Sequence, residues 1–208
     1  MDWLLAHPGL FAATVLDHLL LSATGLAIGI GIALPLGLLV AQRRRLAEAA
    51  IALAGLLRTL PSLAVLAALL PLLGVGFTRS VVALALLALP PVLVNTVLGL
   101  RGADPAALDA ARGLGMTAWQ RALRVELPLA LPLVFAGLRI AAVQVVSAAA
   151  LATFIGGGGL GDLVTQGLAL LDTGRMLVGA VAIALLALAT EAGFGLLERR
   201  LAARVQGA

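Results

Sequence analysis

The chain has 208 residues, of which 62% are hydrophobic and 12% charged, whereas a soluble domain is about 45–50% apolar, so it lacks the polar surface to cover itself in water. The absence of cysteine excludes disulfides and thiolate metal sites, and the absence of lysine excludes a P-loop, whose lysine reaches the nucleotide phosphates. The net charge of +4 is small and its basic side is all arginine, so the positions of the arginines matter more than their sum.

Residues 1–18 carry Trp3, Leu4, Leu5, Leu10, Phe11 and Val15 and are expected to form an extracytoplasmic segment lying along the membrane surface. A helix needs about 20 apolar residues to cross about 30 Å of hydrocarbon. Leu19 to Ala41 meets this without a charge and ends in Gln42-Arg43-Arg44-Arg45, which is not a signal-peptide cleavage site. Ala47 to Leu73 is overlong for one crossing, and Pro61 and Pro71 are expected to break it. Val81 to Leu100 carries Pro90-Pro91, and Leu127 to Thr153 and Met176 to Leu197 complete five spans. The fold class is therefore an all-α integral membrane protein.

With the first span entering from outside, the inner segments hold Arg43, Arg44, Arg45, Arg101, Arg112, Arg121, Arg124, Arg199, Arg200 and Arg204. The outer segments hold only Arg79 and Arg175. The positive-inside rule then places the N-terminus outside and the C-terminus in the cytoplasm.

Residues 101–126 form the longest inner loop. Asp104 is a good N-cap and Pro105 a good first helical residue, so a short helix is expected to about Arg112, ending at a Gly113 hinge. Thr117 and Gln120 have capping-box spacing and start a second short helix, and Pro128 opens the next span. Ala107, Leu108 and Ala111 fall near one face, which suits seating in a groove on a soluble partner.

The outer loop, residues 154–175, contains Gly156-x-Gly158-x-x-Gly161. A dinucleotide site is rejected there, because no strand-turn-helix unit surrounds it. The glycines are expected to let the backbone turn tightly at the outer mouth.

In the inner loop, Asp109-Ala110-Ala111 is followed at matching spacing by Gly115, Val125 and Leu127-Pro128. This resembles the cytoplasmic Glu-Ala-Ala motif of binding-protein-dependent ABC importer permeases, with aspartate for glutamate and valine for isoleucine. Further stretches resemble the glycine betaine, choline and osmoprotectant branch: Arg58-Thr59-Leu60-Pro61-Ser62-Leu63-Ala64, Pro90-Pro91, Asn95-Thr96, Arg101 to Pro105, and Gly156 to Asp162. The resemblance implies a type I importer permease in a bacterial inner or plasma membrane. It also implies a second permease subunit, identical or related, two cytoplasmic ATPases that bind ATP and magnesium, and an extracytoplasmic solute-binding protein. Leu108, Asp109, Ala110, Ala111 and Gly115 become the residues expected to couple to the ATPase. No catalytic residue, cofactor, metal or nucleic acid is expected for this chain itself, and related branches importing methionine or oxyanions share a similar core.

Polar residues inside spans are costly and usually functional. Arg58, Thr59, Pro61, Ser62, Asn95, Thr96, Gln144 and Ser147 are the candidates for a translocation path or gate, with pairing between helices as the alternative for Asn95, Gln144 and Ser147. Arg139 is expected to snorkel to the inner interface, and Glu191 to pair with an arginine the sequence does not select. An ion-coupled secondary transporter would need intramembrane carboxylates, and only Glu191 qualifies. With no tyrosine and its tryptophans at positions 3 and 119, the chain cannot build an aromatic cage for a quaternary ammonium, so selectivity is expected to lie mainly in the binding protein.

Overall fold

Proline at position 8 has the fixed φ and missing donor that suit a first helical turn, and a long helix starts there. The computed structural model describes residues 2–206; Met1, Gly207 and Ala208 lie outside them. After a short helix α1 (Asp2–Ala6), α2 (Pro8–Ala41) runs 34 residues, about 51 Å at 1.5 Å per residue. The helix runs without a break through the expected boundary at His18, so residues 8–18 continue the same helix as the first span. His18 is fully buried, its Nε2 3.0 Å from the Val146 carbonyl oxygen.

The overlong second apolar stretch breaks where Pro61 demands it. α3 (Arg44–Thr59) and α4 (Ser62–Leu73) meet at 96° across Leu60-Pro61. Leu60 is extended, as a residue before proline prefers. Pro71 makes no second break and sits inside α4, close to its end at Gly74.

α5 (Phe77–Arg101) is a single helix despite Pro90 and Pro91. The inner loop folds as α6 (Pro105–Gly113) and α7 (Ala118–Arg121). A π turn at Ala122–Glu126 then leads directly into α8 (Leu127–Ala149), which tightens into a 3-10 turn at Ala150–Ile155. α9 (Leu160–Ala169) and α10 (Thr173–Gln206) follow. Four runs are long and apolar enough to cross a membrane: Pro8–Ala41, Phe77–Arg101, Ala118–Ile155 and Thr173–Arg199. The α3–α4 pair is apolar enough to add a fifth when its two bent arms are counted as one broken span.

In lipid, helices associate through close van der Waals packing, which favours small residues at the seam. α2 and α5 run parallel and meet along Gly25, Gly29, Ala33, Gly37 and Ala41, every fourth residue and all buried. A Cβ on Gly29 would lie 2.6 Å from the Ala88 Cβ, and one on Gly37 2.8 Å from the Thr96 methyl, so only glycine lets the helices come this close. α8 packs antiparallel to α5 through Gly137 against Asn95 and Gly99 against Ala130. Leu21, Leu84, Val92 and Val145 fill the core between these helices.

The bundle has two chemically different ends. At one, Ala41, Arg101, α6 and α7 gather, with the Arg101 guanidinium 3.4 Å from the Ala41 carbonyl oxygen. At the other, the glycine loop closes over the helices. Gly76 N–H donates to Ile155 O at 2.8 Å, Gly156 is left-handed at φ 73°, and Thr153 hydroxyl bonds the Asp162 carboxylate. The expected tight turn at the glycines is therefore a packed cap joined to α2, α5 and α8.

Candidate functional site

Two sites combine sequence expectation with geometry. The first is the α6–α7 element. Asp104 accepts a hydrogen bond from Ala106 N at 3.0 Å, capping α6 with Pro105 in its first turn. The hinge lies two residues past the expected Gly113: α6 includes Gly113, and Gly115 takes φ +74°, a conformation glycine adopts without a side-chain penalty. The capping box forms as expected, with Thr117 N donating to Gln120 Oε1 at 2.9 Å and Gln120 N to Thr117 Oγ1 at 3.3 Å. Arg121 pairs with Glu126 at 3.0 Å across the π turn, both side chains largely buried.

The apolar face of α6 points inward. Of the face expected to seat in a partner, Ala111 is only 3% exposed and covered by this chain, while Ala107 and Leu108 are half-buried. Asp109, Ala110 and Gly115 are exposed, with Asp109 paired to Arg112 at 2.7 Å. Leu114 and Trp119, 78% and 71% exposed, are the most exposed large apolar side chains of the α6–α7 element. The two prominent apolar groups available here, Leu114 and Trp119, were not among the expected coupling residues.

The second site lies at the α3–α4 break. Arg58 and Ser62 from either side of Pro61 meet Pro90 of α5 and Gln144 of α8 around a cavity of about 230 Å³, walled by leucines and Val65. Arg58 makes no hydrogen bond or ion pair with any described residue. Pro90 and Pro91 have no N–H, so the carbonyls of Leu86 and Leu87, which border the same cavity, lose their intrahelical donors.

The remaining path candidates stand elsewhere. Thr59 is exposed and its hydroxyl donates to Leu56 O at 2.7 Å. Pro61 forms the bend itself. Ser147 is exposed and does not line the cavity. Asn95 donates to Pro91 O at 2.8 Å and packs against Gly137, while Thr96 is fully buried against Gly37. Asn95 and Thr96 therefore pack in the helix seams, Asn95 half-buried and Thr96 fully buried.

The family model for the binding-protein-dependent transport system inner membrane component matches residues 33–203. The chain belongs to this family of permeases. The permease is 42% identical over 185 residues to the carnitine transport permease protein OpuCB of Listeria monocytogenes, covering 89% of this chain and 85% of that protein. It is 39% identical to the glycine betaine/carnitine/choline transport system permease protein OpuCB of Bacillus subtilis, covering 88% and 85%. It is 37% identical to the osmoprotectant import permease protein OsmW of Salmonella typhimurium, covering 92% and 91%. In fold it is similar to an inward-facing structure of the MetNI methionine ABC transporter, with a TM-score of 0.83 at 22% identity over 92% of this chain and 95% of that one. The chain is thus a multi-pass membrane component of an ABC importer, with the all-helical type I permease fold.

Three features of the permease were not read from its sequence. Arg139, expected to snorkel, instead lies 3.6 Å from Glu191 and 3.1 Å from Glu198, so α8 and α10 are tied by one guanidinium between two carboxylates. This supplies the partner that the sequence did not select for Glu191, and adds Glu198. His18 gives no pattern signal at all. The small-residue seam of α2 was legible, since Gly25, Gly29, Ala33, Gly37 and Ala41 recur at a spacing of four.

Proposed function

We propose that this permease moves a small osmoprotectant, such as glycine betaine, carnitine or choline, delivered by an extracytoplasmic binding protein. The observation that carries the reading is the 37–42% identity over about nine-tenths of the chain to permeases named for those solutes. Two permease subunits would form the pathway, and two cytoplasmic ATPases, binding ATP and magnesium, would drive it. The N-terminus would be outside, with α6 and α7 facing the ATPase in the cytoplasm. The exposed Asp109, Ala110, Leu114 and Trp119 are the surface that such an ATPase would grip, with the half-buried Leu108 beside them, and the buried Ala111 holds α6 to its own bundle.

Reconstitution tests this. Proteoliposomes holding permease, ATPase and binding protein should accumulate labelled glycine betaine, carnitine or choline only with ATP inside and binding protein outside. The permease alone should release no phosphate from ATP. Uptake of methionine or an oxyanion in their place would overturn the substrate reading.

A further inference from the structure

Arg58, an exposed arginine at the rim of the cavity at the α3–α4 break, carries a charge that no described residue pairs. α5 runs from Phe77 to Arg101, so Pro90 is near its middle, and the cavity lies midway through the bundle. A charged side chain at that depth is expensive and is ordinarily paired or faces a solute path. Arg139, the other arginine within the spans, has two carboxylate neighbours, yet Arg58 has none among the described residues. The broken helix repeats a design by which membrane transporters expose backbone and polar groups at a central site. About 230 Å³ is smaller than a typical drug-sized pocket and suits a small solute.

The polar groups around this cavity are of two kinds. The Arg58 guanidinium, the Ser62 hydroxyl and the Gln144 amide can donate hydrogen bonds, and together favour an anionic group. Leu86 and Leu87, whose carbonyls lose their intrahelical donors to the two prolines, also line the cavity, and the surrounding leucines add apolar surface. A trimethylammonium group has no N–H and is satisfied by such a mixed environment.

We propose that the α3–α4 cavity is a transit site for zwitterionic solutes, with Arg58, helped by Gln144, binding the carboxylate. This rests on the function proposed above and adds to it: the binding protein chooses what is delivered, while Arg58 favours passage of a solute that carries a carboxylate over a plain cation such as choline.

The test is the ratio of glycine betaine uptake to choline uptake in proteoliposomes, at saturating concentrations of a binding protein that accepts both. Arg58→Gln should lower that ratio by about tenfold or more, the weight of one charge-assisted hydrogen bond. Arg58→Lys should restore part of it. Gln144→Leu should lower it by a smaller factor, and gives an independent reading where the Arg58 variants insert poorly. An unchanged ratio in Arg58→Gln and Gln144→Leu, whether uptake of both solutes falls together or not at all, would overturn the carboxylate site while leaving the importer function standing. Failure of the wild-type permease to move either solute would instead count against the function itself.

Discussion

Replacing Gly29 by alanine should destabilise the permease, and replacing Gly31 should not. Both lie on α2, two residues apart and so on different faces. A methyl group at Gly29 would sit 2.6 Å from the Ala88 Cβ and 2.9 Å from the Ala85 carbonyl oxygen, where ordinary contact is 3.4–4 Å. α2 and α5 must therefore separate by the better part of an ångström, along a seam whose other positions are also small. Overpacking of this kind costs about 1–3 kcal/mol. Alanine recovers up to about 1 kcal/mol through helix propensity, leaving a net loss centred on about 1 kcal/mol and reaching about 2 kcal/mol. A methyl group at Gly31 would meet nothing beyond the local backbone of α2 within 4 Å, so only the propensity term remains. The assay is thermal unfolding of both variants in one detergent, followed by loss of the monodisperse peak. Gly29→Ala should melt lower than wild type by roughly 2–8 °C, from the usual relation between stability and melting temperature, and Gly31→Ala at or slightly above it. Equal shifts in the two variants would refute close approach as the reason for glycine at position 29.

Asp109→Arg should leave membrane insertion intact and reduce transport at least tenfold, a size expected when a charge is reversed in a contact with a partner; cysteines at Leu114 and in a groove of the ATPase should crosslink. Gly115→Leu should reduce coupling as well, because its φ of +74° costs a bulky residue about 1–2 kcal/mol and re-aims α7. Arg139→Leu should lower thermal stability by leaving Glu191 and Glu198 facing each other, and the added changes Glu191→Gln and Glu198→Gln should restore much of it. A reporter active only in the cytoplasm should work when fused after Ala208, and one placed near Asp162 should behave as extracytoplasmic; the reverse pattern would invert the proposed orientation.

Local chemistry was the most legible part of this chain. Asp104-Pro105 and Thr117-x-x-Gln120 are complete instructions within a few residues, and both form as read. Pro61 broke its span because a missing N–H and a restricted preceding residue act locally, whereas Pro71 falls so near the end of α4 that it has little left to interrupt. Apolar length located the spans but not where α2 begins, since a helix that outruns the hydrocarbon carries no marker in hydropathy. What failed depended on which neighbour covers a face. Ala107, Leu108 and Ala111 look like a free apolar stripe until the π turn and α7 fold against them. That Asn95 and Thr96 lie against Gly137 and Gly37 was likewise not readable from the sequence, because it depends on helices distant in the chain. Arg139 looked like an interfacial arginine because its partners, Glu191 and Glu198, lie more than fifty residues away.

The two candidate sites are joined by one element. From Ala118 to Ile155 the chain is a single helical run, passing from α7 through the π turn into α8 and its 3-10 end. Its first residues pack beside α6, and Gln144 farther along lines the cavity at the α3–α4 break. A rigid displacement at α6 is therefore carried along hydrogen-bonded backbone toward the polar cavity, without crossing a loop. Its weakest points are the π turn, whose i to i+5 bonding is less regular than an α-helix, and Pro132, which lacks a donor inside α8. Arg121 and Glu126 close the first of these with a largely buried ion pair. Across the cavity, Arg58 and Ser62 belong to the two arms of a helix already bent at 96°. The groups on one side thus belong to a continuous helical run and those on the other to the two arms of a bent helix, so the cavity is bounded by one unbroken element and one broken at Pro61.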